Sequence, residues 1–205
     1  MRRLLSAAVF LCVFPIAATA AEPQKLDCST FPADSSHASL VKSLGADNVT
    51  TETVAGSAGQ NAPTTVIYAK DKTKRAIVFW KDDAAKKGIA AILVRKDDKS
   101  DATGWTAGGL TIASTLADVE KANGQPFEIA GFGGDFGGYT GDWEEGKLDS
   151  ILGQNCHLSL RFSLPAGVKP DVAKKVTGGD QFPSDGAEIV AAKPVISEIT
   201  VEFPE

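Results

Sequence analysis

The chain is poor in the residues that most often do chemistry. It has two histidines, His37 and His157, so the H-E-x-x-H helix of zinc enzymes and any histidine-rich metal site are excluded. Three cysteines are present with no C-x-x-C pair, which disfavours a metal-bound or nucleophilic thiol. No G-x-S-x-G elbow occurs for a serine hydrolase. After the first twenty residues no apolar run is longer than the six residues Ile89 to Val94, far short of the roughly 20 that a membrane-spanning helix needs. Basic residues are not in excess either: 21 Lys and Arg stand against 26 Asp and Glu, a net charge of −5. That balance argues against a nucleic-acid or anionic-membrane partner.

What is present begins with an export pattern. Met1-Arg2-Arg3 is basic, the run Leu4 to Phe14 is apolar, and Ala18-Thr19-Ala20 supplies small residues before Ala21, so residues 1–20 read as a cleaved secretory signal. Leu4-Leu5-Ser6 does not continue a twin-arginine motif, and Leu11 before Cys12 is not the small residue that a lipid anchor requires. Loss of Arg2 and Arg3 with the signal moves the net charge from −5 to −7. Two cysteines then remain, Cys28 and Cys156, and in an oxidising compartment they are expected to pair. The location expected is the periplasm or the exterior.

Two stretches carry the same helix signals. Asp34-Ser35-Ser36 precedes the amphipathic run His37 to Leu44, which stops at Gly45. Thr115-x-x-Asp118 has the spacing of a capping box, Leu116, Val119 and Ala122 form an apolar face, and Asn123-Gly124 ends the run before Pro126. Ser36, Leu40 and Gly45 fall on Thr115, Val119 and Gly124 at a constant offset of 79. β-rich segments follow each helix: 49–54, 64–70 and 75–80 after the first, then 127–130, 139–143 and 157–164 after the second. Lys70 to Arg75 reads as a hairpin tip and Lys96 to Asp101 as a polar linker, while Ile199, Val201 and Phe203 alternate in a half-buried final strand. The fold class expected is α+β, with two related halves, each a short helix followed by antiparallel strands. The halves would span 21–100 and 101–205, or merge into one continuous domain.

Thr115-x-x-Asp118-Val119-x-x-x-x-Gly124-x-Pro126 resembles the helix-and-turn signature of the β-lactamase inhibitor proteins and the small outer-membrane assembly lipoproteins. The inhibitor proteins carry that unit in tandem. Ala113 and Ser114 stand where the family has Gly and Met, and Asp47 replaces proline in the first copy. The resemblance implies helices packed on antiparallel sheet and non-catalytic protein binding in or outside the envelope.

The richest stretch is GFGGDFGGYTGDW, residues 131–143. A phosphate loop is excluded because position 136 is Phe and no helix pattern follows. Three readings stay open. A calcium loop would draw on Asp135, Asp142, Glu144 and Glu145 with Asp180 and Asp185, though no EF-hand or nonapeptide spacing occurs. A glycan site would use Phe132, Phe136, Tyr139 and Trp143 as flat faces with Asp135 and Asp142 as acceptors, but Phe136 and Tyr139 are odd-spaced and on a strand point to opposite faces. The third reading is a bent, twisted strand pair leading to a tight turn at Glu144-Glu145-Gly146.

No catalytic residue, cofactor or metal set is assigned. His157 beside Cys156 would lose its thiol to a disulfide, and a carboxylate hydrolase built on Asp135 and Asp142 ranks third among the functions. First stands an exported binding protein for a protein partner, an adaptor or inhibitor; second, a carbohydrate or calcium binder using residues 131–143.

Overall fold

The computed structural model describes residues 22–55, 61–153 and 155–204. Residues 1–20, expected from the sequence to be a secretory signal, lie outside them, and Cys12 with them. In chain order the elements are β1 (Gln24–Lys25), α1 (His37–Leu44), β2 (Val49–Ala55), β3 (Asn61–Ile67), β4 (Ala76–Asp82), β5 (Lys87–Arg95), β6 (Trp105–Thr106) and α2 (Leu116–Asn123). There follow β7 (Glu128–Ala130), β8 (His157–Ser163), α3 (Pro170–Lys175), β9 (Gln181–Pro183), α4 (Ala187–Ala192) and β10 (Val195–Glu202). The protein is α+β. No helix among the described residues is long and apolar enough to cross a membrane.

Both longer helices begin at reciprocal caps. The Ser36 hydroxyl accepts from Ser39 N at 3.1 Å while Ser36 N donates to the Ser39 hydroxyl at 2.8 Å. Thr115 Oγ1 accepts from Asp118 N at 3.3 Å, and Thr115 N donates to Asp118 Oδ2 at 2.8 Å. Each box satisfies amide donors that the first turn leaves free. Gly45 and Gly124 stop the helices at φ 89° and 85°, where a side chain would be strained.

One sheet of six strands runs in the order β2-β3-β4-β5-β10-β8, antiparallel throughout. β5 lies inside it and was not among the expected strands. Its residues Ile92 and Val94 join the main core while Leu93, on the opposite face, joins a smaller cluster with Val54, Val66 and Ile77. Apolar burial on both faces erases the alternation by which a strand is recognised.

The two helix caps meet the sheet in the same way. Ser36 bridges Lys87 at the start of β5, and Thr115 bridges Val195 at the start of β10. Gly88 N donates to Ser35 O and Ile196 N to Ser114 O, each at 2.9 Å. β5 and β10 then pair with each other, Glu198 opposite Arg95 through Glu202 opposite Ala91.

Cys28 and Cys156 form a disulfide with Cα atoms 6.1 Å apart, across a sequence separation of 128. The hairpin tip between β3 and β4 sends its last basic residue inward. Arg75 is buried and donates from both Nη atoms to the Glu52 carboxylate, at 2.9 and 2.8 Å. That bidentate pair holds the Glu52 carboxyl below its ordinary range.

Candidate functional site

The glycine-rich stretch continues the sheet past β8. Phe162 N donates to Gly138 O at 2.7 Å and Thr140 N to Leu160 O at 2.9 Å, so residues 138–140 cover the outer edge of β8. On their other side Gly138 N donates to Ala130 O at 3.0 Å and Ala130 N to Tyr139 O at 2.8 Å, which joins β7 to the ladder. β7 in turn pairs with β9. The glycines are needed because backbone replaces side chain here. A Cβ on Gly138, at φ 80°, would run into the carbonyl oxygen of Phe162, and one on Gly137 would stand 2.5 Å from Gly133 N.

The six candidate residues divide among three environments. Phe132 and Trp143 belong to the core, and the Trp143 indole N–H donates to Leu158 O at 3.1 Å. Tyr139 is half-buried. Asp135, Asp142 and Phe136 are exposed, Phe136 at 79%. Asp142 Oδ1 accepts from Glu144 N at 2.8 Å, opening a turn in which Glu144 and Glu145 both have positive φ, 54° and 61°. The expected strand 139–143 is therefore short: Tyr139 bridges Arg161 of β8 and Thr140 bridges Ile129 of β7, after which the backbone turns. The rings do not form one stacking face, because two of the four fill the interior.

Tyr139 leads to residues that the sequence did not single out. Its hydroxyl donates to Glu198 Oε1 at 2.6 Å, and the Arg161 guanidinium lies 4.9 Å from its ring centroid. Burial, then the neighbouring Glu198 carboxylate, push the phenol up to about 12. It keeps its proton and is a poor nucleophile. Glu198 is itself 8% exposed and sits in register between Arg95 and Arg161 on the flanking strands. A groove of about 930 Å³ runs past this row, lined also by Lys96, Phe132, Pro165, Ile196, and the loop glycines Gly133, Gly134 and Gly137. The sequence signal for the row was faint. Arg161 and Glu198 occupy polar positions of alternating strands, and nothing in the alternation says that Tyr139 closes over them.

Among the described residues no three or more His, Cys, Asp or Glu side chains gather as a metal site. Asp135 sits at the loop tip, and Asp142 is bound into its own turn. No family model matches the chain, and neither a curated protein nor a solved structure matches it.

Proposed function

We propose that the protein is an exported, non-catalytic binding protein that takes a protein partner, as an adaptor or inhibitor, in the bacterial envelope or outside it. The observation that carries this reading is Phe136. It stands 79% exposed while Phe132 and Trp143 from the same stretch are buried. A large ring held out in water is unfavourable for the free protein, and aromatic side chains of this kind serve as interface anchors. The loop behind it is braced, since Arg161 Nε donates to Gly137 O at 2.9 Å and Phe132 N to Val176 O at 2.7 Å. Bracing lowers the ordering cost of association.

Export is favoured by the leader pattern of residues 1–20 together with the disulfide. A tandem of two related α-then-β units is supported by the matching attachment of the two caps, Ser36 to β5 and Thr115 to β10. It agrees with the resemblance to tandem inhibitor proteins.

The test is an affinity capture with mature, disulfide-bonded protein from its own envelope extract, with and without calcium and beside a glycan panel. A single stoichiometric protein partner is expected, with retention weakened about tenfold or more by Phe136→Ala. A glycan-only or calcium-dependent signal without a protein partner overturns the reading.

A further inference from the structure

Building on the protein-partner reading, we infer that the groove beside the Phe136 loop receives an extended acidic segment of the partner, held by Arg161 and Arg95. The groove passes the end of β5, the end of β8 and the start of β10, and its charged lining is Arg95, Lys96, Asp97, Arg161 and Glu198. Both acids are already engaged. Asp97 accepts from Arg95 Nε at 3.0 Å and from Lys99 N at 2.8 Å, and Glu198 accepts from the Tyr139 hydroxyl at 2.6 Å.

The register places Glu198 between the two arginines, which stand two strand spacings, or about 10 Å, apart. Opposite charges in such positions ordinarily pair across the strands. Here neither arginine makes an ion pair with Glu198; among the described residues the ion pairs are Arg75–Glu52, Arg95–Asp97 and Lys99–Glu52. Glu198 turns to Tyr139, while Arg161 lies against the Tyr139 ring with Nε committed to Gly137 O. Arg161 makes no ion pair among the described residues. A guanidinium fixed by stacking and one N–H keeps its planar fork ready for a carboxylate.

Charge complementarity names the occupant. The protein carries −5 overall, yet this groove presents three basic side chains, of which Lys96 is exposed and makes no side-chain bond among the described residues. Phe132, Pro165, Val195 and Ile196 add apolar wall between the charges. Gly133 and Gly134 leave backbone uncovered along one side, which suits a strand-like segment more than a bulky helix. The partner segment should thus alternate acidic and apolar residues and lie beside the pocket that takes Phe136.

The experiment uses mature disulfide-bonded protein and fluorescent peptides of about ten residues that alternate Glu, Gln or Lys with Leu, read by anisotropy at low and high salt. The Glu peptide is expected to bind at least about tenfold more tightly than the Gln peptide, with the advantage shrinking in salt and no binding by the Lys peptide. Arg161→Gln removes most of that advantage, and Lys96→Gln, a change at an exposed side chain, reduces it without changing the Gln peptide. Equal binding of Glu and Gln peptides overturns the inference, as does an advantage unchanged in both Arg161→Gln and Lys96→Gln. Capture of a partner that needs Phe136 but ignores Arg161 and Lys96 sinks the acidic segment and leaves the protein-partner reading standing. Acid-selective peptide binding with no captured protein does the reverse.

Discussion

The two sides of the β5–β10 seam continue the same sheet with different materials. On one side β4, β3 and β2 are seven-residue strands rich in Val, Ile and Thr. On the other, β8 is followed by Gly138–Thr140 and then by the three residues of β7. Side chains hold the first side together through both faces, Ile67 and Val78 inward and Val66 and Ile77 on the opposite face. The second side lets backbone approach backbone, with glycine where a Cβ would collide. A ladder can therefore be carried around a bend, at the cost of the strand pattern that would announce it.

The largest effect expected comes from removing the staple between the two sides. Cys28 precedes α1 and Cys156 precedes β8, so the bridge closes a loop of 128 residues. Replacing both cysteines by serine should cost about 4–5 kcal/mol by the chain-entropy account, read as a fall in urea midpoint with a steeper slope, because the unfolded chain without the bridge exposes more surface. A loss below about 1 kcal/mol would mean that the seam alone unites the sides and that the loop is already restricted in the unfolded chain.

Next comes the thin side itself. Gly138→Val forces a side chain against the Phe162 carbonyl at a positive φ, and about 3 kcal/mol or more should be lost. Thr53→Val, at an exposed position of the edge strand β2, and Asp135→Ala at the exposed loop should each stay within about 0.5 kcal/mol. If Gly138→Val melts like the parent protein, residues 138–140 are not bearing on β8 and the loop is free to act as a site along its whole length.

Legibility followed the same divide. Both capped helices fall where Ser36, Thr115, Gly45 and Gly124 place them, because caps are local chemistry written in a few adjacent residues. The alternating Ile199 and Val201 likewise fall inside the final strand, Val195–Glu202. β5 was lost for the opposite reason: Ile89 to Val94 is apolar on both faces, and a doubly covered strand has no period to read. α3 and α4 were missed as well, each six residues long and neither with a side-chain cap bond. Within 131–143 the composition marked something special, but burial decided what. Trp143 went to the core and Phe136 to solvent, and no spacing rule separates those fates. Arg161 and Glu198 matter through Tyr139, a contact 59 residues away in sequence from Glu198, which local pattern cannot show.

A smaller loss than that of the bridge or of Gly138 separates the two caps. Ser36→Ala and Thr115→Ala should each cost about 1 kcal/mol at neutral pH, additively, since the boxes share no partner. Their pH dependence should differ. The Ser36 box closes on the Ser39 hydroxyl, which does not titrate, whereas the Thr115 box closes on the Asp118 carboxylate. Hydrogen bonds from the Thr115 backbone and then its hydroxyl hold Asp118 below its ordinary value of 3.8. A depressed carboxyl gives its stabilisation above the unfolded value, and that stabilisation disappears as pH falls through the folded one. Thermal melts from neutral to strongly acid solution should therefore show the penalty of Thr115→Ala shrinking below the ordinary carboxylate range while that of Ser36→Ala holds. Parallel behaviour of the two variants would mean that the bond from the Thr115 hydroxyl to the Asp118 carboxylate adds nothing to the second cap, the bond from the Thr115 backbone N–H being kept in Thr115→Ala.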